Sequence, residues 1–280
     1  MKSLYRLSGA IAMALTVAQP ALADAVINLN VSQQNPKAQS GEPVRLLVHE
    51  GKVLLGMPAA AEGKDLRFDR AQNLFHVIDH RRRNVMAVDE AAVIQLTDQA
   101  QAMLMMARGF SEQLSLLPPK QRAKLEKMIG GEGALAQLNK PNNGKMTGKQ
   151  SFHANGGKVV GGISCQRLEV LGNGGKLAEL CLAKAGSTPL AEQDYATLEA
   201  MRQQAQRLAQ RAAPLAQQFG FPLPPLDDAK LSGLPVEMRN LSGNNRETVT
   251  LTQISSEAVS PQSVELPADY KTRPLSAWKF

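Results

Sequence analysis

Lys158–Ala183, KVVGGISCQRLEVLGNGGKLAELCLA, decides how this chain is read. Two apolar-rich runs flank Gly-Asn-Gly-Gly, and glycine and asparagine accept positive φ at low cost, so the stretch predicts a β-hairpin. It also holds the chain's two cysteines, Cys165 and Cys181. An odd-length loop centred on Asn173 sets Cys165 directly opposite Cys181 and Arg167 opposite Glu179. An opposite-charge cross-strand pair contributes a few tenths of a kcal/mol. A cross-strand disulfide, Cys165–Cys181, is therefore expected. No catalytic constellation stands beside it.

Upstream, the hairpin pattern repeats. DAVINLNV (24–31) alternates like a strand. VRLLVHE and KVLLGM flank Glu50-Gly51, and a two-residue turn there pairs Val48 with Val53 and Val44 with Met57. After the connector MPAAAEGKD and the short LRFD, NLFHVID and NVMAVD surround His80-Arg81-Arg82-Arg83. Pairing Asp79 with Asn84 sets Val77 opposite Met86 and Phe75 opposite Val88, a wholly apolar face. The other face, Leu74, His76, Ile78, Val85 and Ala87, is mixed. The arginines read as a solvated loop tip.

Helical periodicity begins at Val93. Val93, Leu96, Ala100, Met103, Ala107, Phe110, Leu114 and Leu117 form one stripe, and Pro118-Pro119 ends it and opens a second helix through Ile129. Residues 130–148, rich in Gly, Asn and Lys, read as a mobile insertion. A third helix is expected over 190–219, with Leu198, Met201, Ala205, Leu208, Ala212, Leu215 and Phe219 apolar and a Gln/Arg face, Gln204 included, opposite. Pro214 should kink or split it. LPVEMRN and RETVTLTQIS, joined by a Ser242–Asn245 turn, give another hairpin, and SVELPADYK a last short strand or extended arm. Strands and helices without βαβ alternation predict an α+β fold with an antiparallel sheet.

The N-terminus reads as a processing segment. Lys2 and Arg6 precede the apolar run Leu7–Val17, and Ala21-Leu22-Ala23 fits the small-residue cleavage rule. Residues 1–23 are thus expected to be a cleaved signal peptide, and 24–280 one exported domain in the periplasm, which permits a disulfide. No later stretch is long and apolar enough for a transmembrane anchor. Removing Lys2 and Arg6 from 32 basic residues leaves 30 against 25 acidic, a net of +5. That modest charge and exported setting argue against a nucleic-acid partner.

His49, His76, His80 and His153 form no metal-ligand spacing on the expected strands, and no nucleophile elbow, metalloprotease helix or phosphate loop occurs. Neither enzymatic activity nor a cofactor is expected. The methionines Met57, Met86, Met103, Met105, Met106 and Met201 have three readings: core filling, a pliable apolar surface or Cu(I) ligation.

The hairpin GGISCQRLEVLGNGGKLAELCLA, the NLFHVIDHRRRNVMAVD strand–turn–strand and the closing LPVEMRN…ETVTLTQIS…VELPADYK resemble a domain-of-unknown-function family of secreted bacterial proteins. The closing strands and arm are also similar to those of the LolA-like periplasmic carriers. The resemblance covers most of Val44–Lys271. It implies a curved, half-barrel-like antiparallel sheet covered by helices around an apolar cavity. The expected site is then Phe75, Val77, Met86 and Val88 on the sheet, facing Val93, Leu96, Met103 and Phe110 on the first helix. Its expected ligand is apolar or lipid-like. The alternative is an envelope structural or interaction protein with a dry core, its Gln/Arg-rich helix meeting a protein partner.

Overall fold

The computed structural model describes residues 24–33, 42–56, 63–115, 151–172, 175–218, 231–241 and 246–277. The expected signal segment, second helix, 130–148 insertion, Met57 and Ser242–Asn245 turn lie outside the described residues.

Two meanders make up the fold. The first is β1 (Asp24–Gln33), β2 (Glu42–His49), β3 (Lys52–Gly56), β4 (Lys64–Asp69), β5 (Leu74–Asp79) and β6 (Asn84–Val88). Its turns carry the expected chemistry: Glu50 and Gly51 both adopt positive φ, 45° and 78°, as a two-residue hairpin turn demands. Val48 faces Val53, and Phe75 faces Val88, as the sequence registers predict. The second meander is β7 (Ser151–Val160), β8 (Ile163–Gly172), β9 (Gly175–Ala183), β10 (Leu234–Asn240) and β11 (Glu247–Ser255). Antiparallel pairing of β1 with β11 joins the two. The result is an open sheet of 12 strands in the order β12-β6-β5-β4-β3-β2-β1-β11-β10-β9-β8-β7. The sheet is mixed, because β12 (Lys271–Arg273) adds parallel to β6.

The decisive hairpin forms, but in a different register. Arg167 faces Cys181 and Glu169 faces Glu179, because Gly172 pairs with Gly175 and the ladder shifts between Val170 and Leu171. Cys165 and Cys181 are therefore diagonal neighbours, and they still close a disulfide with Cα atoms 5.4 Å apart. The like-charged pair Glu169/Glu179 is reconciled by Lys176, whose Nζ donates to both at 2.6 and 2.8 Å. β7, which the sequence reading left largely unassigned, completes a three-stranded unit. Its turn glycine Gly161, at φ +55°, lies so close to β11 that a Cβ would sit 2.9 Å from the Leu251 carbonyl oxygen. Replacing both cysteines by serine is expected to lower unfolding free energy by about 3 kcal/mol, the chain-entropy value for so short a loop. Urea unfolding of the oxidised protein and the double variant measures it; equal midpoints would contradict it.

Three helices complete the described fold: α1 (Glu90–Ser115), α2 (Glu192–Gln218) and the single turn α3 (Pro261–Val264). α1 starts where Asp89 Oδ1 accepts the Ala92 amide at 2.7 Å, a cap that satisfies a free first-turn donor. Of the kink or split expected at Pro214, the split does not occur: α2 is one helix from Glu192 to Gln218. Leu198 and Leu208 are buried as expected. Gln204 is not on a wet face: it is 2% exposed, and its Oε1 accepts from Asn73 Nδ2 at 3.1 Å and Arg207 Nε at 2.9 Å. Ala205 takes the exposed position instead. Gln204 is buried because it meets Asn73 of the polar β4–β5 turn, while Leu198 and Leu208 on either side of it pack into the main core.

The C-terminal segment forms a strap across the other face of the first meander. Val259 N donates to Asp24 Oδ2 at 2.8 Å, and Val264 packs with Val26, Leu47 and Leu54. Further on, Asp269 pairs with Arg83, and Tyr270 Oη lies 3.0 Å from His80 Nδ1. β12 then extends the sheet edge, and Leu275 enters the main core on the helix-bearing face. Only three residues of SVELPADYK's expected strand region are helical or β; the rest is bends, irregular chain and a turn in which Tyr270 N donates to the Pro267 carbonyl at 3.2 Å.

Candidate functional site

Strand alternation puts every second residue on one face, so the observed registers define rows running across the first meander. The row nearest α2 is Ala25–Val48–Val53–Phe68–Phe75–Val88, each residue the Cα partner of the next. It is sealed: all but the half-buried Val88 are buried, and they share one cluster with Val93 of α1 and Leu198 and Leu208 of α2. Phe68 and Phe75 rings meet at 5.0 Å between centroids.

The next row outward is Ile27–Leu46–Leu55–Leu66–Val77–Met86, again matched pair by pair and again wholly apolar. Here the cover thins. Leu55, Leu66 and Val77 are half-buried in consecutive strands, and Leu29 and Val31 of β1 on the same face are half-buried too. Three neighbouring strands thus present apolar side chains to a partly open face.

The sequence-derived site splits between these rows. Phe75 and Val88 belong to the sealed row, Val77 and Met86 to the outer one. Val93 and Leu96 of α1 pack on the sealed cluster. Met103 and Phe110 fall within α1, but their side chains lie outside the described ones. Met105 and Met106 are both 68% exposed. What sequence reasoning missed is Leu55 and Leu66, whose alternation in KVLLG and DLRFD was visible but whose row neighbours depend on the β3–β4 and β4–β5 pairings, which the sequence reading did not assign.

The opposite face carries the polar chemistry. Arg67, 3% exposed, donates through Nε to the Val264 carbonyl at 2.6 Å and through a terminal nitrogen to Asp69 Oδ2 at 3.1 Å. His76 is its cross-strand partner. Burial first, then the neighbouring Arg67 charge, holds the His76 imidazole below its ordinary pKa, with Asp69 opposing. Among the described residues its Nδ1 has no hydrogen-bond partner. His80 instead sits 2.9 Å from Asp65 Oδ2, so the two histidines serve separate contacts. At the start of α2, burial raises the Asp194 carboxyl to about 6; Asp24 adds to the rise and His49 opposes it. Among the described residues no group of three His, Cys, Asp or Glu is placed to hold a metal ion. Nor is any described helix long and apolar enough to cross a membrane.

No family model matches the chain, and no curated protein does. Among solved structures, an uncharacterized conserved protein from Thermus thermophilus aligns over 90% of this chain and 91% of its own, at 7% identity and TM-score 0.39. PNGF-II aligns over 91% of this chain at 9% identity and TM-score 0.39, with 31% of its own length covered. A second crystal form of PNGF-II gives 10% identity and TM-score 0.36, with 32% of that chain covered.

Proposed function

We propose that this chain is an exported, periplasmic, non-enzymatic binding protein that holds an apolar or lipid-like ligand between a curved, half-barrel-like sheet and its helices, as in the LolA-like carriers it resembles in sequence. The observation that carries the reading is the outer row Leu55–Leu66–Val77, apolar on three adjacent strands yet only half-buried.

Two spans support the curvature. Tyr195 Oη donates to the Ala183 carbonyl at the end of β9, and Gln204 meets Asn73 at the β4–β5 turn. Those helix residues are about 14 Å apart along α2, whereas seven strand spacings from β9 to β5 in a flat sheet are about 34 Å. Side chains do not bridge that difference; a bent sheet does. Likewise Gly161 approaches Leu251 on β11 although β8 and β11 are three spacings apart, about 14 Å if flat. A sheet bent in both halves encloses its apolar inner face, and such gaps accept apolar ligands.

A second reading, an envelope interaction protein with a dry core, draws on the exposed Ile94, Met105 and Met106 of α1. Its original motive, the Gln/Arg face of α2, is weaker, since Arg202 is engaged with Glu199, Arg207 with Gln204, and Arg211 with Glu90.

Fluorescence titration with a neutral acyl methyl-ester probe tests the choice. Micromolar binding is expected, and Val77→Arg should weaken it at least about tenfold, a cost of ~1.4 kcal/mol, while Val77→Leu keeps it. Circular dichroism checks that both variants fold. No binding to the wild type, or equal binding to the folded Val77→Arg variant, favours the interaction reading.

A further inference from the structure

The outer apolar row does not stop at Met86. β12 pairs in parallel with β6, and the partner of Met86 is Arg273. Side chains of directly paired residues lie on the same side of a sheet, so Arg273 extends the row Leu55–Leu66–Val77–Met86 by one more strand. Beyond the strand, Leu275 enters the buried cluster of the inner face. From Leu55 to Arg273 the row spans about 19 Å at normal strand spacing.

Arg273 is exposed and, among the described residues, makes no ion pair. Lys271, two positions back on the same side, is exposed and its side chain is likewise unpaired there. Most described carboxylates on the surrounding elements are engaged elsewhere; Asp89 caps α1, and the exposed Asp98 of α1 makes no ion pair with Arg273. Asp269 pairs with Arg83, Glu265 with Lys52 and Arg67, Asp65 with His80, and Glu90 with Arg207 and Arg211. An apolar track thus ends at a guanidinium that no anion among the described residues neutralises. Arginine suits this place because its planar fork takes a carboxylate or phosphate through two parallel hydrogen bonds.

We infer that the ligand is an anionic amphiphile, its chain along the half-buried Leu55, Leu66 and Val77 and its carboxylate or phosphate head on Arg273, with the buried Met86 between them and Lys271 adding charge. This rests on the binding reading above and goes further in naming the head group.

The test titrates the full-length protein with a fluorescent fatty acid and with its methyl ester. The acid is expected to bind about tenfold more tightly, the range of one charge-assisted hydrogen-bonded pair. Arg273→Gln should abolish that difference while leaving ester affinity unchanged; Arg273→Lys should restore part of it. Both changes fall on an exposed side chain and should not move the thermal midpoint. Competition by dodecanoate against dodecyl phosphate separates the two head groups: the better competitor names the natural one, and about tenfold preference for either over dodecanol supports the inference. Equal acid and ester binding to the wild type, or an undiminished preference in Arg273→Gln, overturns the head-group assignment and leaves the apolar site standing. Failure of both probes to bind overturns the assignment and the binding reading together.

Discussion

Phe68→Ala is expected to lower unfolding free energy by about 3–5 kcal/mol, the usual cost of deleting a buried phenylalanine from a packed core. Phe68 is 0% exposed and sits between Val53 and Phe75 in the sealed row. Val53, Phe75 and Val48 belong to the same cluster, which also receives side chains from both long helices, so no exposed segment is free to collapse into the void. Leu66→Ala, two residues away on the same strand and face, is the informative comparison. Leu66 is half-buried in the outer row, so about 1–2 kcal/mol is expected there. Binding should rank the two oppositely: Leu66→Ala weakens the ester probe, and Phe68→Ala, measured well below its melting temperature, leaves it near wild type. Urea titration and probe fluorescence on the same samples decide it. Similar stability losses from both substitutions would mean that the two rows form one uniformly packed core.

The contrast between Phe68 and Leu66 also marks how far the sequence could be read. Two hairpins in the first meander were legible because the turn fixes the register: Glu50-Gly51 sets Val48 against Val53, and the His80–Arg83 turn sets Phe75 against Val88. The hairpin carrying the cysteines was legible as a hairpin but not in register. Its Gly-Asn-Gly-Gly tolerates several turns, and the shift between Val170 and Leu171 cannot be seen locally. The disulfide survives because diagonal neighbours on one face also come within bridging reach. For Gln204 the helical period was right and the environment wrong: polar residues normally face water, but here Asn73 from a distant turn supplies the partner. The rows required the pairings β1–β2, β3–β4 and β4–β5, whose connections carry weaker turn signals, and their extension to Arg273 required β12 to join β6, a pairing between segments far apart in the chain. That is why the sequence found Phe75, Val77, Met86 and Val88 but not the boundary between sealed and open rows, nor Arg273 at its end.

The strap depends on a different kind of contact. Arg67→Ala is expected to cost about 3–5 kcal/mol, because it leaves a buried charge without its partner. Arg67 holds the Val264 carbonyl and Asp69 together, and Glu265 lies 3.8 Å away. Without the guanidinium, the Asp69 carboxylate keeps the Gln72 amide, 3.2 Å from Oδ1, and loses its counter-charge. The Val264 carbonyl loses its donor at the point where α3 is pinned to the sheet. Amide exchange should therefore quicken in residues 259–275 before it quickens in β4 or β5. Arg67→Met with Asp69→Leu removes both charges at once and should recover most of the loss, as buried ion pairs replaced by apolar groups usually do. His76 gives a readout that mere loss of packing would not move. Its pKa is held down mainly by burial and next by Arg67. In Arg67→Ala the imidazole should titrate at higher pH than in the wild type yet stay below a free histidine, since burial remains. Folded His76 with a depressed pKa binds protons less readily than the unfolded chain does, so wild-type stability should fall as pH drops below the unfolded value of about 6.5. That acid-side loss should shrink in the variant. NMR titration of the His76 ring with and without Arg67 measures the shift; identical titrations would show that the two side chains do not share one buried site.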